Sequence, residues 1–314
     1  MRYRHFQKAN ADISSIAIGT WAIGGQNYGE VNREDSIRAI RRMVELGVNL
    51  IDTAPVYGNG ASEMIVGEAI RDIPRESLFL STKFGIVPDF RSKMRKVASY
   101  ENVMREVQSS LINLKTDYID FYFIHYPDEK TNIAQTMTAL MELKEKGAIR
   151  NIGVSNFSLA QIEQAEAYGE IDVVQPPYSM VNRSFGDLMQ ACHAKGIDSM
   201  TYASLGAGIL TGAYRSMPDF AKDDLRWSFY DFYREPKFSK IMDFLSVMDK
   251  IASAHHATVA QVAINWSTQK AFVGTALCGV RNVKQAEDNC AAFTWELSAD
   301  EMRLLDDELD KRGI

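Results

Sequence analysis

Cysteine is scarce in this chain: three residues in 314, at Cys192, Cys278 and Cys290. An odd number so widely spaced makes neither a disulfide framework nor a C-x-x-C metal site. Basic residues are outnumbered, 35 Lys+Arg against 41 Asp+Glu, for a net charge of −6. A sequence-independent nucleic-acid binder needs a net basic face, so that class of partner is set aside. No apolar run approaches the roughly 20 residues of a membrane-spanning helix. The opening MRYRHFQKANADISS has no long apolar stretch of the secretory kind. The Asn-x-Ser triplets at Asn156, Asn182 and Asn265 therefore carry no weight as glycosylation sites. No linker, repeat or low-complexity tract divides the chain, and no His/Cys/Asp cluster has metal-ligand spacing. The expectation is a cytoplasmic protein with one domain over 1–314, no metal and no membrane partner, its oligomeric state unassigned.

What is present is ordinary in amount and regular in order: 46% hydrophobic and 24% charged residues, close to the globular average. Apolar runs at 16–20, 50–54, 78–83, 118–125, 150–156, 173–178, 198–204 and 273–279 read as strands. Runs such as IDFYFI suit strands buried on both faces of a parallel sheet. Between them lie amphipathic helices. Asn32 caps the first, with Ile37, Ile40, Met43 and Val44 on one face and Gly47 as its stop. Val103, Val107, Leu111 and Leu114 make a second stripe, and Ile133, Met137, Leu140 and Met141 a third. Ser158 with Gln161, and Ser298 with Glu301, have capping-box spacing. Eight strand–helix units fit a (β/α)₈ TIM barrel. HFQKANADISSIAIG predicts a hairpin closing the barrel bottom, and 214–238 a long loop after strand 7. A doubly wound dinucleotide fold would want G-x-G-x-x-G after its first strand. Gly19-Thr-Trp-Ala-Ile-Gly24-Gly25 has the wrong spacing.

In such a barrel chemistry sits at the C-terminal strand ends. Strand 2 delivers Asp52 and, in the loop beyond it, Tyr57. Strand 3 delivers Lys83, and strand 4 ends at His125. Singly, these read as a helix cap, a packing tyrosine, a structural ion pair and a core histidine. Together, on three adjacent strand ends, they suit proton transfer to a carbonyl. Lys83 would favour the Tyr57 phenolate and lower its pKa from the usual value of about 10. Asp52 would hold Lys83, and His125 would orient the carbonyl oxygen.

GTWAIGG, NLIDTAPVYGNGASE, STKFG, SLINLKTDYIDFYFIHYPD, IRNIGVSNF, VVQPPYS, TYASLGAGILTG and GVRNVKQAEDN, in this order, resemble the aldo-keto reductases over nearly the whole chain. The motif style is similar to bacterial sugar- and polyol-related members. The resemblance implies a barrel that binds a nicotinamide cofactor, with Asp52, Tyr57, Lys83 and His125 as the catalytic tetrad. It implies that Ser155, Asn156 and Gln175 bond the nicotinamide carboxamide, that Tyr202 stacks on its ring, and that Ser204, Leu205, Gly206 and Gly208 lie along the pyrophosphate. Thr20, Trp21 and Gly279 join the cofactor set. Arg281, Gln285, Asp288 and Asn289 would hold the adenosine end. Gln285 stands where many members have a second arginine, so the implied cofactor is NADPH with NADH as the competitor.

For substrate, Trp21, Tyr57, His125, Tyr126 and Trp227 are the candidate wall. Seven aromatics between Asp219 and Phe238 suit either an apolar lid or simple packing of the loop. Arg91, Lys93, Arg95 and Lys96 either draw an anionic substrate or are a solvated face. The expected activity is reduction of an aldehyde or ketone, including a sugar-derived carbonyl, to the alcohol. An NAD-linked dehydrogenase of a sugar or inositol, and a cofactor-sensing regulatory subunit, are the alternatives.

Overall fold

The computed structural model describes residues 1–25, 31–88, 93–222 and 224–314. A hairpin, β1 (Tyr3–Phe6) and β2 (Ala11–Ser14), comes first. Next are β3 (Ile16–Gly19), β4 (Leu50–Asp52) and β5 (Phe79–Phe84), and then a second hairpin, β6 (Ile86–Pro88) and β7 (Met94–Lys96). Five more strands follow: β8 (Ile119–Ile124), β9 (Ile149–Ser155), β10 (Val173–Gln175), β11 (Asp198–Thr201) and β12 (Thr275–Gly279). Strands β3, β4, β5, β8, β9, β10, β11 and β12 pair in that order, all parallel, and β12 returns to β3 to close a barrel.

The helices form where the sequence caps them. In α1 (Arg33–Glu45) the Asn32 side chain accepts from the Asp35 amide, Ala39, Ile40 and Met43 are buried, and Gly47 beyond the end has φ +96°. The chain continues through α2 (Ala61–Ala69), α3 (Tyr100–Leu114), α4 (Ile133–Glu145), α5 (Leu159–Glu166) and α6 (Gly186–Ala194). It ends with α7 (Leu225–Phe229), α8 (Lys237–Ala254), α9 (Val259–Thr268), α10 (Val283–Ala291) and α11 (Ala299–Arg312). Both capping boxes form, at the starts of α5 and α11. Val103, Val107 and Leu114 are fully buried, whereas Met141 is 41% exposed, on the outer flank of α4.

The strands end earlier than their apolar runs. Strand β10 stops before Pro176 and Pro177, which have no N–H for a ladder. Strand β11 stops before Ala203, whose φ of +55° leaves the β region. Three helices, α7, α8 and α9, separate β11 from β12: α7 is a short helix inside the stretch expected to be loop, and Phe238 belongs to α8 rather than to that loop. The first hairpin plugs the barrel bottom. Its Phe6 and Ile13 are buried in one cluster with Ala17, Leu50, Phe121, Phe123, Val173, Met200 and Leu277. These mark the inward faces of β3, β4, β8, β10, β11 and β12, and period-two alternation then aims the residue two places on into the mouth.

Candidate functional site

That alternation places Asp52 above Leu50, Lys83 above Ser81, His125 above Phe123, Gln175 above Val173 and Tyr202 above Met200. Asp52 and Lys83 form a buried ion pair, Nζ to Oδ2 2.7 Å, with side-chain exposures of 4% and 1%. Burying two charges costs several kcal/mol unless every lone pair and proton is used. Here Lys83 also donates to the Thr53 carbonyl at 2.8 Å. Asp52 Oδ1 accepts from Ser81 Oγ at 2.7 Å and from Gln175 Nε2 at 2.8 Å. The Lys83 ammonium lies 5.1 Å from the centre of the Tyr57 ring.

Tyr57 is held by its loop. Gly58, at φ +64°, touches Gly24 so closely that a Cβ on it would lie 2.2 Å from the Gly24 carbonyl oxygen. Ser62, fully buried, bonds Thr53 Oγ1 at 2.9 Å and Thr20 Oγ1 at 2.7 Å, and Thr20 Oγ1 donates to the Asp52 carbonyl at 2.9 Å. Thr20 is thus a tie between β3, β4 and α2. The Tyr57 ring meets His125 edge-on, with centroids 6.0 Å apart, and stacks near Trp21 at 6.3 Å.

Electrostatics set the protonation states. Burial first, then the Asp52 charge, pushes the Tyr57 phenol well above its ordinary range. This reverses the lowering by Lys83 expected from the sequence: desolvation of the phenolate dominates, and Asp52 beside Lys83 opposes the anion. Burial lowers Lys83, and Asp52 partly restores it. His125 is driven well below its usual value by burial and by Lys83. Near neutral pH the site therefore holds a phenol that can donate and an uncharged imidazole.

At the ends of β9, β10 and β11, adjoining these groups, Ser155, Asn156, Gln175 and Tyr202 form one network. Tyr202 OH donates to Asn156 Oδ1 at 2.7 Å, and Asn156 Nδ2 donates to the His125 carbonyl and to Ser155 Oγ, both at 3.0 Å. Ser155 Oγ donates to the Gln175 carbonyl at 2.8 Å. The loop carrying Ser204 and Leu205 is left-handed at Ala203, Gly206, Ala207 and Gly208. Such turns gather backbone N–H groups into anion-binding concavities. Gly279, at the end of β12, is exposed, and a Cβ on it would meet the Gly19 carbonyl oxygen at an ordinary van der Waals distance of 3.8 Å. Arg281 is exposed just before α10; its amide donates to Gln285 Oε1 at 2.9 Å. Asp288 instead faces α9, accepting from Gln261 Nε2 at 2.8 Å, and Asn289 is buried. Amide and hydroxyl groups, an aromatic face, a glycine-bearing turn and an arginine are the donor set that a dinucleotide with a carboxamide ring and phosphates requires.

The loop before α8 divides in two. Trp227 packs on Phe220 and Tyr233, with ring centroids 5.3 and 6.4 Å away, inside the loop's own aromatic cluster. Phe229, half exposed, is the residue that reaches Trp21, at 5.7 Å, and Tyr230 comes near enough to weigh on Tyr57's ionisation. Trp227, expected on the substrate wall, thus packs within the loop, and Phe229, two residues on, takes the place beside Trp21. Ser81 was missed too; its position two residues before Lys83 was the available signal. Tyr126 stacks on His125 at 5.4 Å. Of the basic run, 89–92 lies outside the described residues, while Arg95 and Lys96 stand on the rim strand β7.

Among the described residues no helix is long and apolar enough to cross a membrane. The Aldo/keto reductase family model matches residues 15–310. The aldo-keto reductase YhdN of Bacillus subtilis (strain 168) is 34% identical over 307 residues, covering 96% of this chain and 92% of that protein. The NADH-specific methylglyoxal reductase of Escherichia coli (strain K12) is 34% identical over 303 residues, covering 91% of each. The structure of glycerol dehydrogenase AKR11B4 from Gluconobacter oxydans superposes with a TM-score of 0.88 at 33% identity, covering 96% of this chain and 93% of that one.

Proposed function

This chain belongs to the aldo/keto reductase family, and from that premise we propose that Tyr57, His125, Lys83 and Asp52 carry the proton chemistry of carbonyl reduction. It is an NAD(P)H-dependent oxidoreductase interconverting a carbonyl compound and its alcohol. The nicotinamide, when bound, supplies hydride to the carbonyl carbon. The Tyr57 phenol gives its proton to the carbonyl oxygen. Lys83, fixed by Asp52, faces the ring and stabilises the phenolate that remains, and neutral His125 fixes the oxygen's position. The carrying observation is the buried Lys83–Asp52 pair beneath the Tyr57 ring.

Ser155, Asn156, Gln175 and Tyr202 hold the nicotinamide end in this reading, and Arg281 faces the 2′-phosphate, which makes NADPH the preferred cofactor. Methylglyoxal and glycerol, named for two relatives, put small aldehydes, ketones and polyols first in a substrate screen. The oxidative reading, an NAD-linked polyol dehydrogenase, is favoured by one feature, the lone Arg281 with Gln285 where a second cation would stand. Residues 1–314 form one domain in this reading, and three free thiols fit a reducing compartment such as the cytoplasm.

The test combines one variant with one titration. Tyr57→Phe is expected to lower kcat by about 10²–10⁴ while fluorescence titration shows unchanged cofactor binding. Wild-type protein is expected to bind NADPH at least about tenfold tighter than NADH. Full activity in Tyr57→Phe would remove Tyr57 as the acid, and equal or tighter NADH binding would favour the oxidative reading.

A further inference from the structure

One cation at the barrel mouth is not used by this chemistry. Lys96, exposed at the end of rim strand β7, holds its ammonium 5.1 Å from the centre of the Tyr126 ring. Tyr126 in turn stacks on His125 with centroids 5.4 Å apart and planes 27° from parallel. Two ring spacings therefore separate this charge from the imidazole that positions the carbonyl oxygen. Neither Lys96 nor its neighbour Arg95 makes an ion pair with a described residue. The carboxylate on the adjoining segment, Asp128, is occupied by the Ala98 and Lys130 amides and the Thr131 hydroxyl. An ammonium held over an aromatic face keeps a defined place. Lys96 is solvent-exposed, so a carboxylate or phosphate lying across Tyr126 can pair with its ammonium.

We propose that Lys96 is a specificity-determining residue that selects carbonyl substrates bearing an anionic group, carboxylate or phosphate, at the end remote from the reacting carbon. The inference rests on the carbonyl-reductase reading above. The Tyr126 ring sets the spacing: the carbonyl end lies against Tyr57 and His125, the body crosses the Tyr126 edge, and the anion meets the ammonium. The attraction is solvent-exposed, so salt screens it over a Debye length of about 8–10 Å at 0.10–0.15 M.

The experiment compares two aldehydes that differ in charge, 4-carboxybenzaldehyde and its methyl ester, with NADPH and with NADH. Wild-type protein is expected to show kcat/KM at least about tenfold higher for the carboxylate at low ionic strength, falling as KCl is added. Lys96→Gln is expected to bring the ratio near one, and Lys96→Arg to retain it. A sugar-phosphate aldehyde set against its unphosphorylated parent then tells whether phosphate is taken as well as carboxylate. A wild-type ratio at or below one with the ester readily reduced overturns the proposal and leaves the reductase reading standing. So does a high ratio unchanged by Lys96→Gln. If neither aldehyde nor any other carbonyl is reduced with either cofactor, the reductase reading itself fails, and the proposal with it.

Discussion

At the residue scale the site works by withholding water from groups that would otherwise be charged. His125 is the clearest case. Its imidazole is buried beside the Lys83 ammonium, and both effects favour the neutral ring. In the unfolded chain the same ring titrates near pH 6.5. Below that pH the unfolded state binds a proton that the folded state refuses, so unfolding is favoured as pH falls. The contribution is fully present above about pH 6.5 and is lost toward the lower folded-state value, at up to about 1.4 kcal/mol per pH unit. Urea unfolding at pH 7.0 and 5.5 should show wild type losing about 1 kcal/mol more than His125→Gln. Equal losses would mean that the ring is not held neutral.

At the element scale, the Tyr57 loop is positioned by a contact that admits no side chain. Strand β3 and the turn after it present Gly24 to Gly58, and a Cβ at Gly58 would lie 2.2 Å from the Gly24 carbonyl oxygen. The backbone must move to make room, and Tyr57 moves with it. Gly58→Ala is expected to lower kcat more than about tenfold, since positioning errors of an ångström are costly. Gly147→Ala is the control: it has a similar left-handed φ of +74°, but an added Cβ meets nothing nearer than Arg150 Nη1 at 4.0 Å. That variant should lose stability while kcat stays level. Melting temperature and steady-state rates on both proteins decide it, and equal kcat losses would show that the Gly24 contact does not matter.

At the scale of the whole molecule, stability and chemistry are placed at opposite ends of one barrel. The hairpin at the bottom contributes Phe6, fully buried against Phe121 with ring centroids 6.1 Å apart. Phe6→Ala should cost about 3–5 kcal/mol and leave KM unchanged, because nothing from the hairpin reaches the mouth. Denaturant melts alongside kinetics check this, and a raised KM would couple the two ends. Legibility follows the same division. Strand positions, caps, the strand-end residues Asp52, Lys83 and His125, and Tyr57 in the loop after Asp52 are legible because each depends on a few neighbouring positions. Apolar composition extends the strands too far at 176–178 and 202–204, where proline chemistry and left-handed backbone at Ala203 override it.

The sequence by itself determined which side chains point into the barrel, since strand alternation is a steric property of consecutive residues. It determined the helix starts through Asn32, Ser158 and Ser298 for the same reason. Only the closed barrel decided that Gln175 would share Asp52 with Ser81 and Lys83, because that meeting depends on how far the strands stagger around the ring. It also decided that Phe229, not Trp227, touches Trp21, and that Lys96 comes to rest over Tyr126. It reversed the direction of the Tyr57 shift as well, because desolvation is a property of everything packed around a group and not of its neighbours in the chain.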